Sequence, residues 1–78
     1  MKIIFTKHAK EMLVFRNIKE SFVEQTVNDP DNQQDSEEGK IVLFKNFGKN
    51  YLKVVVANDK GKIIVVTEHW IAKRRLKK

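Results

Sequence analysis

Seventy-eight residues with one proline and no cysteine allow a single domain with a modest core, and exclude disulfides, thiolate nucleophiles and zinc–thiolate sites. The net charge of +6 is uneven, because residues 1–39 carry five Lys/Arg against eight Asp/Glu and residues 40–78 carry eleven against two. That asymmetry points to a polyanion or an acidic protein as partner for the C-terminal half, against the blander reading of lysines kept for solubility.

No run approaches the roughly 18 apolar residues of a membrane span, and MKIIFTKH lacks a small-residue cleavage site. The expected setting is therefore a reducing cytoplasm. KIIF, residues 2–5, reads as a first strand, and Thr6 as the cap of a helix running to about Arg16. Ala9, Met12 and Leu13 form its buried stripe, with His8, Met12 and Phe15 on an adjacent line. Asn17 suits a tight corner, ending this helix or capping the next, since asparagine tolerates left-handed backbone. Ile18, Phe22, Val23, Thr26 and Val27 give a second helix its apolar face, and the NDP at 28–30 stops it.

The segment 29–39, DPDNQQDSEEG, has no apolar residue and holds half of the acidic groups, so it reads as an exposed loop. From Lys40 the pattern changes to strands: KIVLFKNF, YLKVVVAN and KIIVVTEHW, rich in β-branched and aromatic residues. GKN (48–50) and NDKG (58–61) separate them, the latter fitting a type I turn followed by a glycine at positive φ. The tail WIAKRRLKK reads as a last helical turn or a frayed basic end. The expected architecture is α+β, in the order β-α-α-β-β-β, with an antiparallel sheet, two helices on one face and a basic tail. The first strand is expected to join the three-stranded meander as a fourth member. Alternation then sends Leu52, Val54 and Val56 toward the helices and Tyr51 and Lys53 away from them.

The run T-x-H-A at 6–9, then Met12-Leu13, Arg16-Asn17-Ile18 and Phe22-Val23, resembles the N-terminal half of a family of small bacterial domains of unknown function. Its pattern runs roughly H-A-x-x-R-M-x-x-R-G-I. The second half is similar too, with L-K-V-V-V at 52–56 and a strand closing on V-V-T at 65–67. That family is grouped with RelE/ParE-like toxins and the wider set of small ribonuclease folds. The resemblance implies a RelE-like domain over residues 1–78, and a metal-independent endoribonuclease or toxin without a cofactor. The implied partners are RNA, including ribosome-bound RNA, and a cognate antitoxin. Two positions depart from the pattern: Met12 stands where an arginine is expected, and Asn17 where a glycine is.

Metal-free RNA cleavage needs a base for the 2′-hydroxyl proton, a cation for the crowded phosphate and an acid for the leaving 5′-oxygen. His8 is the expected proton-transfer group, with Arg16 and Lys53 as phosphate clamps and Thr67 as a hydroxyl bonding a phosphate oxygen or orienting His8. The blander readings are a structural histidine, a snorkelling lysine and an ordinary strand threonine. His69 is a second proton-transfer candidate outside the matched motifs, and His8 and His69 lack the short spacing of a zinc pair. Lys45, Lys53, Lys73, Arg74, Arg75 and Lys77 are the expected nucleic-acid contacts, binding phosphates without reading sequence. Trp70 and Tyr51 are able to stack on bases, although aromatics in so small a domain are more often core. The alternatives are a non-catalytic nucleic-acid or protein interaction module of the same fold, and a gyrase-directed toxin of the ParE kind.

Overall fold

The computed structural model describes residues 2–72. The tail residues Lys73, Arg74, Arg75 and Lys77, expected to touch phosphates, lie outside the described residues. Within them the chain forms β1 (Lys2–Phe5), α1 (Lys7–Phe15), α2 (Glu20–Asn28), β2 (Asn32–Asp35), a 3₁₀ turn (Glu37–Gly39), β3 (Lys40–Asn46), β4 (Asn50–Asp59) and β5 (Lys62–Ala72). The architecture is α+β, and the five strands lie in the order β1-β5-β4-β3-β2.

Local chemistry accounts for the helical corner. Thr6 caps α1, its hydroxyl accepting from the Ala9 amide at 3.0 Å, which satisfies one of the free donors of the first turn. Asn17 takes φ +56° just past the end of α1, the left-handed geometry that asparagine accepts at small cost. Its amide and that of Ile18 bond back to Val14 and Leu13, and Lys19, not Asn17, precedes the first turn of α2. Ile18 thereby enters the core beside Ala9 and Val23 from the helices, and Leu43, Leu52, Val54, Val56 and Val65 from the sheet. Trp70 joins from β5: its ring meets Phe22 and Phe47 edge-on, while those two stack at 4.7 Å. This indole is core, not a free stacking platform.

The sheet departs from expectation in four respects. First, β1 pairs with β5 in parallel, Lys2 opposite Lys62 through Phe5 opposite Val65, so the sheet is mixed instead of antiparallel. Second, the expected loop 29–39 contains β2, paired antiparallel with β3 from Asn32 opposite Phe44 to Asp35 opposite Ile41. Its four residues are all exposed, so backbone pairing with β3, and not side-chain burial, makes it a strand. Third, Trp70, Ile71 and Ala72 continue β5 instead of starting a tail. Fourth, Asp59 pairs with Lys62, leaving a two-residue turn whose Lys60 and Gly61 both have positive φ. That is the type I′ requirement and matches the twist of the flanking strands.

Along β4 the alternation is as the sequence indicates: Leu52, Val54 and Val56 are buried under the helices, while Tyr51, Lys53 and Val55 stand half-buried on the other face. In β5 the alternation breaks. Val55 lies opposite Thr67 but Val56 lies opposite Val65, so Val66 is an extra residue in the strand, a β-bulge. Leu52 is fully buried at the centre of the packed layer, and Leu52→Ala is expected to cost about 2–5 kcal/mol, measured by urea unfolding. Thr6→Ala is expected to cost about 1 kcal/mol by the same measurement.

Candidate anion site on the open sheet face

The bulge decides which side chains of β5 meet those of β4. With Val66 looped out, Thr67 and His69 share with Lys53 the face that α1 and α2 leave open, His69 directly opposite Lys53, at the roughly 5 Å Cβ spacing of a cross-strand pair. Glu68 and Trp70 turn the other way, toward the helices, opposite Val54 and Leu52.

Arg16 enters this group from the edge. β1 covers β5 only as far as Val65, and beyond it the chain meets the exposed edge of β5 with side chains. The Thr6 amide donates to the Val65 carbonyl at 3.2 Å, and the Thr6 hydroxyl donates to the Val66 carbonyl at 3.4 Å. Arg16 Nη1 donates to the Glu68 carbonyl at 2.9 Å and to Thr67 Oγ1 at 3.4 Å. Both ends of α1 are therefore tied to consecutive stretches of β5. The Arg16 guanidinium is held in place by strand backbone, and among the described residues the rest of its planar fork of donors has no partner.

Three of the four residues expected to act on RNA, Arg16, Lys53 and Thr67, are thus brought together, with His69 among them. His8 stands exposed in the first turn of α1, at the opposite end of the helix from Arg16, about 12 Å away along the axis. Lys45 is on the helix-facing side of the sheet, where its ammonium binds the Asp29 carbonyl at 2.9 Å and lies 3.6 Å from the Asp29 carboxylate. A cation at that point complements the C-terminal end of α2 and leaves Lys45 outside the cluster.

The electrostatics suit an anion. Among the described residues the ion pairs are Lys40 with Glu38 and Lys45 with Asp29, so neither Arg16 nor Lys53 has a carboxylate partner. The His69 imidazole is pushed below its usual range, first by burial and then by the Lys53 and Arg16 charges beside it. It is consequently neutral at pH 7 and able to accept a proton. An incoming anion would be attracted by both the Arg16 and the Lys53 charges and would make a proton on His69 less costly. No group of three or more His, Cys, Asp or Glu able to hold a metal occurs among the described residues, and none of their helices is long and apolar enough to cross a membrane.

Glu68 escaped the sequence reading. It is fully buried, and neither carboxylate oxygen has a hydrogen-bond partner. Burial pushes its carboxyl up from 4.5 to about 7, against the opposing pull of Arg16. Strict alternation from Val65 would have sent Glu68 outward to face Lys53 as an ordinary surface ion pair, and turned His69 inward. The signal of the bulge in the sequence is TEHW itself, because unbroken alternation would bury a threonine and a histidine while leaving the tryptophan in water.

A buried carboxyl with a raised pKa binds its proton more tightly folded than unfolded. Its proton-bound form is no burden to the fold below pH 4.5, and stability is lost as the pH rises from there through about 7. The loss expected from Glu68 is about 3 kcal/mol, levelling off above pH 8. Glu68→Gln is expected to abolish this decline in urea midpoints collected from pH 4.5 to 8.5.

Comparison with known proteins places these residues in a family. No curated protein matches the chain, and no solved structure does. A family profile covers residues 5–67, a span that takes in His8, Arg16, Lys53 and Thr67 and stops just before Glu68 and His69. With most of its length matched, the chain belongs to the family described as Domain of unknown function (DUF4258).

Proposed function

We propose that the open sheet face binds the phosphate backbone of RNA and that the protein is a metal-independent endoribonuclease of the RelE-like toxin kind. The observation that carries this reading is the convergence of Arg16, Lys53 and neutral His69 on one face with no carboxylate to pair them. Two unpaired cations around a phosphate stabilise the extra negative charge that builds up as the 2′-oxygen attacks. The neutral His69 imidazole takes the 2′-hydroxyl proton.

The leaving 5′-oxygen is bonded to the same phosphorus that the 2′-oxygen attacks, so its proton is delivered at the clamped phosphate, from solvent water, and the His69 imidazolium returns its own proton to solvent. His8, exposed near the end of β1 and about 12 Å along α1 from Arg16, is too far to serve that phosphate, and its part is to contact RNA beyond the cleaved bond. Thr67, already accepting from Arg16, keeps the guanidinium at the mouth of the site. The excess of positive charge in residues 40–78 draws the polyanion to this half of the molecule and makes binding salt-dependent. A toxin of this kind is neutralised by a protein partner, and an acidic antitoxin segment would compete for the same cations.

The alternative is a module that binds RNA without cleaving it, and the place of His8 at the far end of α1 from Arg16 favours that version. Incubation of single-stranded RNA with the purified protein in EDTA distinguishes them. Cleavage is expected, reduced roughly 10²- to 10⁴-fold by His69→Asn and by Lys53→Met, and also lowered by His8→Ala. On the acid side the rate is expected to rise with pH through a midpoint below 6.5, as the His69 base loses its proton. Intact RNA, bound in a Lys53-dependent manner, would identify the binding module. Intact RNA that does not bind would remove both readings.

A further inference from the structure

The mechanism proposed above has no use for Glu68, although it is the most constrained ionisable group among the described residues. Both of its carboxylate oxygens are buried without a partner. Buried polar groups in proteins are nearly always hydrogen-bonded, because an unpaired one forfeits its hydration and receives nothing in exchange. Its own backbone carbonyl, in contrast, is the principal anchor of Arg16. The same residue thus fixes the site's arginine through its main chain on the edge of β5, and places an unsatisfied carboxyl on the helix-facing side of that strand.

The surroundings reduce the possible electrostatic partners to one. The buried residues on that side of the sheet, Ala9 of α1, Val23 and Thr26 of α2, and Leu52 and Val54 of β4, carry no charge. Lys53 and His69 belong to the opposite face, Lys45 on the helix-facing side is engaged two strands away with Asp29, and Arg16 is the charged group whose field acts on the Glu68 carboxyl. No ion pair joins them at close range. Glu68 therefore feels the Arg16 charge at a distance without being tied to it.

We propose that Glu68 couples anion binding at Arg16 to uptake of a proton, so that the open-face site is a proton-linked anion site. The coupling rests on the reading of Arg16 as an anion ligand, and needs no movement of the backbone. While Arg16 is free, its positive charge favours the ionised carboxylate beneath it. When an anion settles on the guanidinium, that field is cancelled, the desolvated carboxylate loses its single source of stabilisation, and it takes a proton from solvent. Linkage requires the reverse effect to be equal: protonating Glu68 strengthens anion binding, and ionising it weakens binding. Should Arg16 turn inward toward the ionised carboxylate, the effect would have the same sign.

Sulfate is the probe, since its charge does not change between pH 5 and 9, and the readout is the Glu68 side-chain carbon followed by NMR through that range. Saturating sulfate is expected to raise the Glu68 midpoint by roughly half to one pH unit, with a matching three- to tenfold loss of sulfate affinity between pH 6.5 and 9. The His69 imidazole is pushed below its usual range, and the Glu68→Gln profile separates its contribution from that of Glu68. Glu68→Gln is expected to flatten the affinity profile above pH 6.5, and Arg16→Lys to diminish the shift. A Glu68 midpoint indifferent to sulfate, or a pH profile that survives in Glu68→Gln, overturns the proposal. If sulfate moves the midpoint yet RNA is neither bound nor cleaved, the coupling stands and the ribonuclease reading fails.

Discussion

One extra residue in β5 determines what the two faces of this sheet contain. The bulge at Val66 shifts the inward register by one position, and a slip of one residue in a strand exchanges its faces completely. Downstream of it, Trp70 reaches Phe22 and Phe47 to close the core, and His69 is delivered to Lys53. The exchange has a cost, because it also turns Glu68 into the packed layer with nothing to bond. The indole and the carboxylate enter together, as alternate residues of one strand. An apolar cluster that holds Trp70 in place therefore holds Glu68 in place as well.

The arginine depends on a second economy of the fold. β1 is only four residues long and leaves β5 uncovered beyond Val65. An open strand edge is a hazard, exposing unpaired backbone groups to any passing strand. Here Thr6 and Arg16 satisfy three carbonyls of β5, those of Val65, Val66 and Glu68, by amide, hydroxyl and guanidinium in turn. The same contacts that blunt the edge immobilise Arg16, so little side-chain entropy remains to be lost when a ligand arrives. Arg16 is also the sole arginine of residues 2–72.

Much of this was legible in the residues. The Thr6 cap, the corner at Asn17, the stop at NDP and the two-faced alternation of β4 follow from local chemistry that tertiary contacts did not overrule. The strand within NQQD was not legible, because its side chains are uniformly polar and exposed and its only structural reason is the backbone of β3. Nor was the parallel pairing of β1 with β5, which brings together segments sixty residues apart. For the site, the residue types in Arg16, Lys53 and Thr67 announced their chemistry. The place of His69 and the burial of Glu68 hinged on the bulge, whose one trace in KIIVVTEHW is the unfavourable faces that unbroken alternation gives to TEHW.

The strand order carries a last implication. β2 and the turn after it, with Asp31, Asp35, Glu37 and Glu38 all exposed, occupy one margin of the sheet, while Arg16 caps β5 on the other side of β4 and β3. Three strand spacings separate them, roughly 14 Å, more than the Debye length of about 8 Å at physiological salt. The acidic margin is thus too far away to quench the cations, yet it gives the molecule a lateral electric polarity. A polynucleotide drifting toward the open face would be repelled at β2 and attracted at β5. It would be turned to lie along the β5 edge before any contact forms.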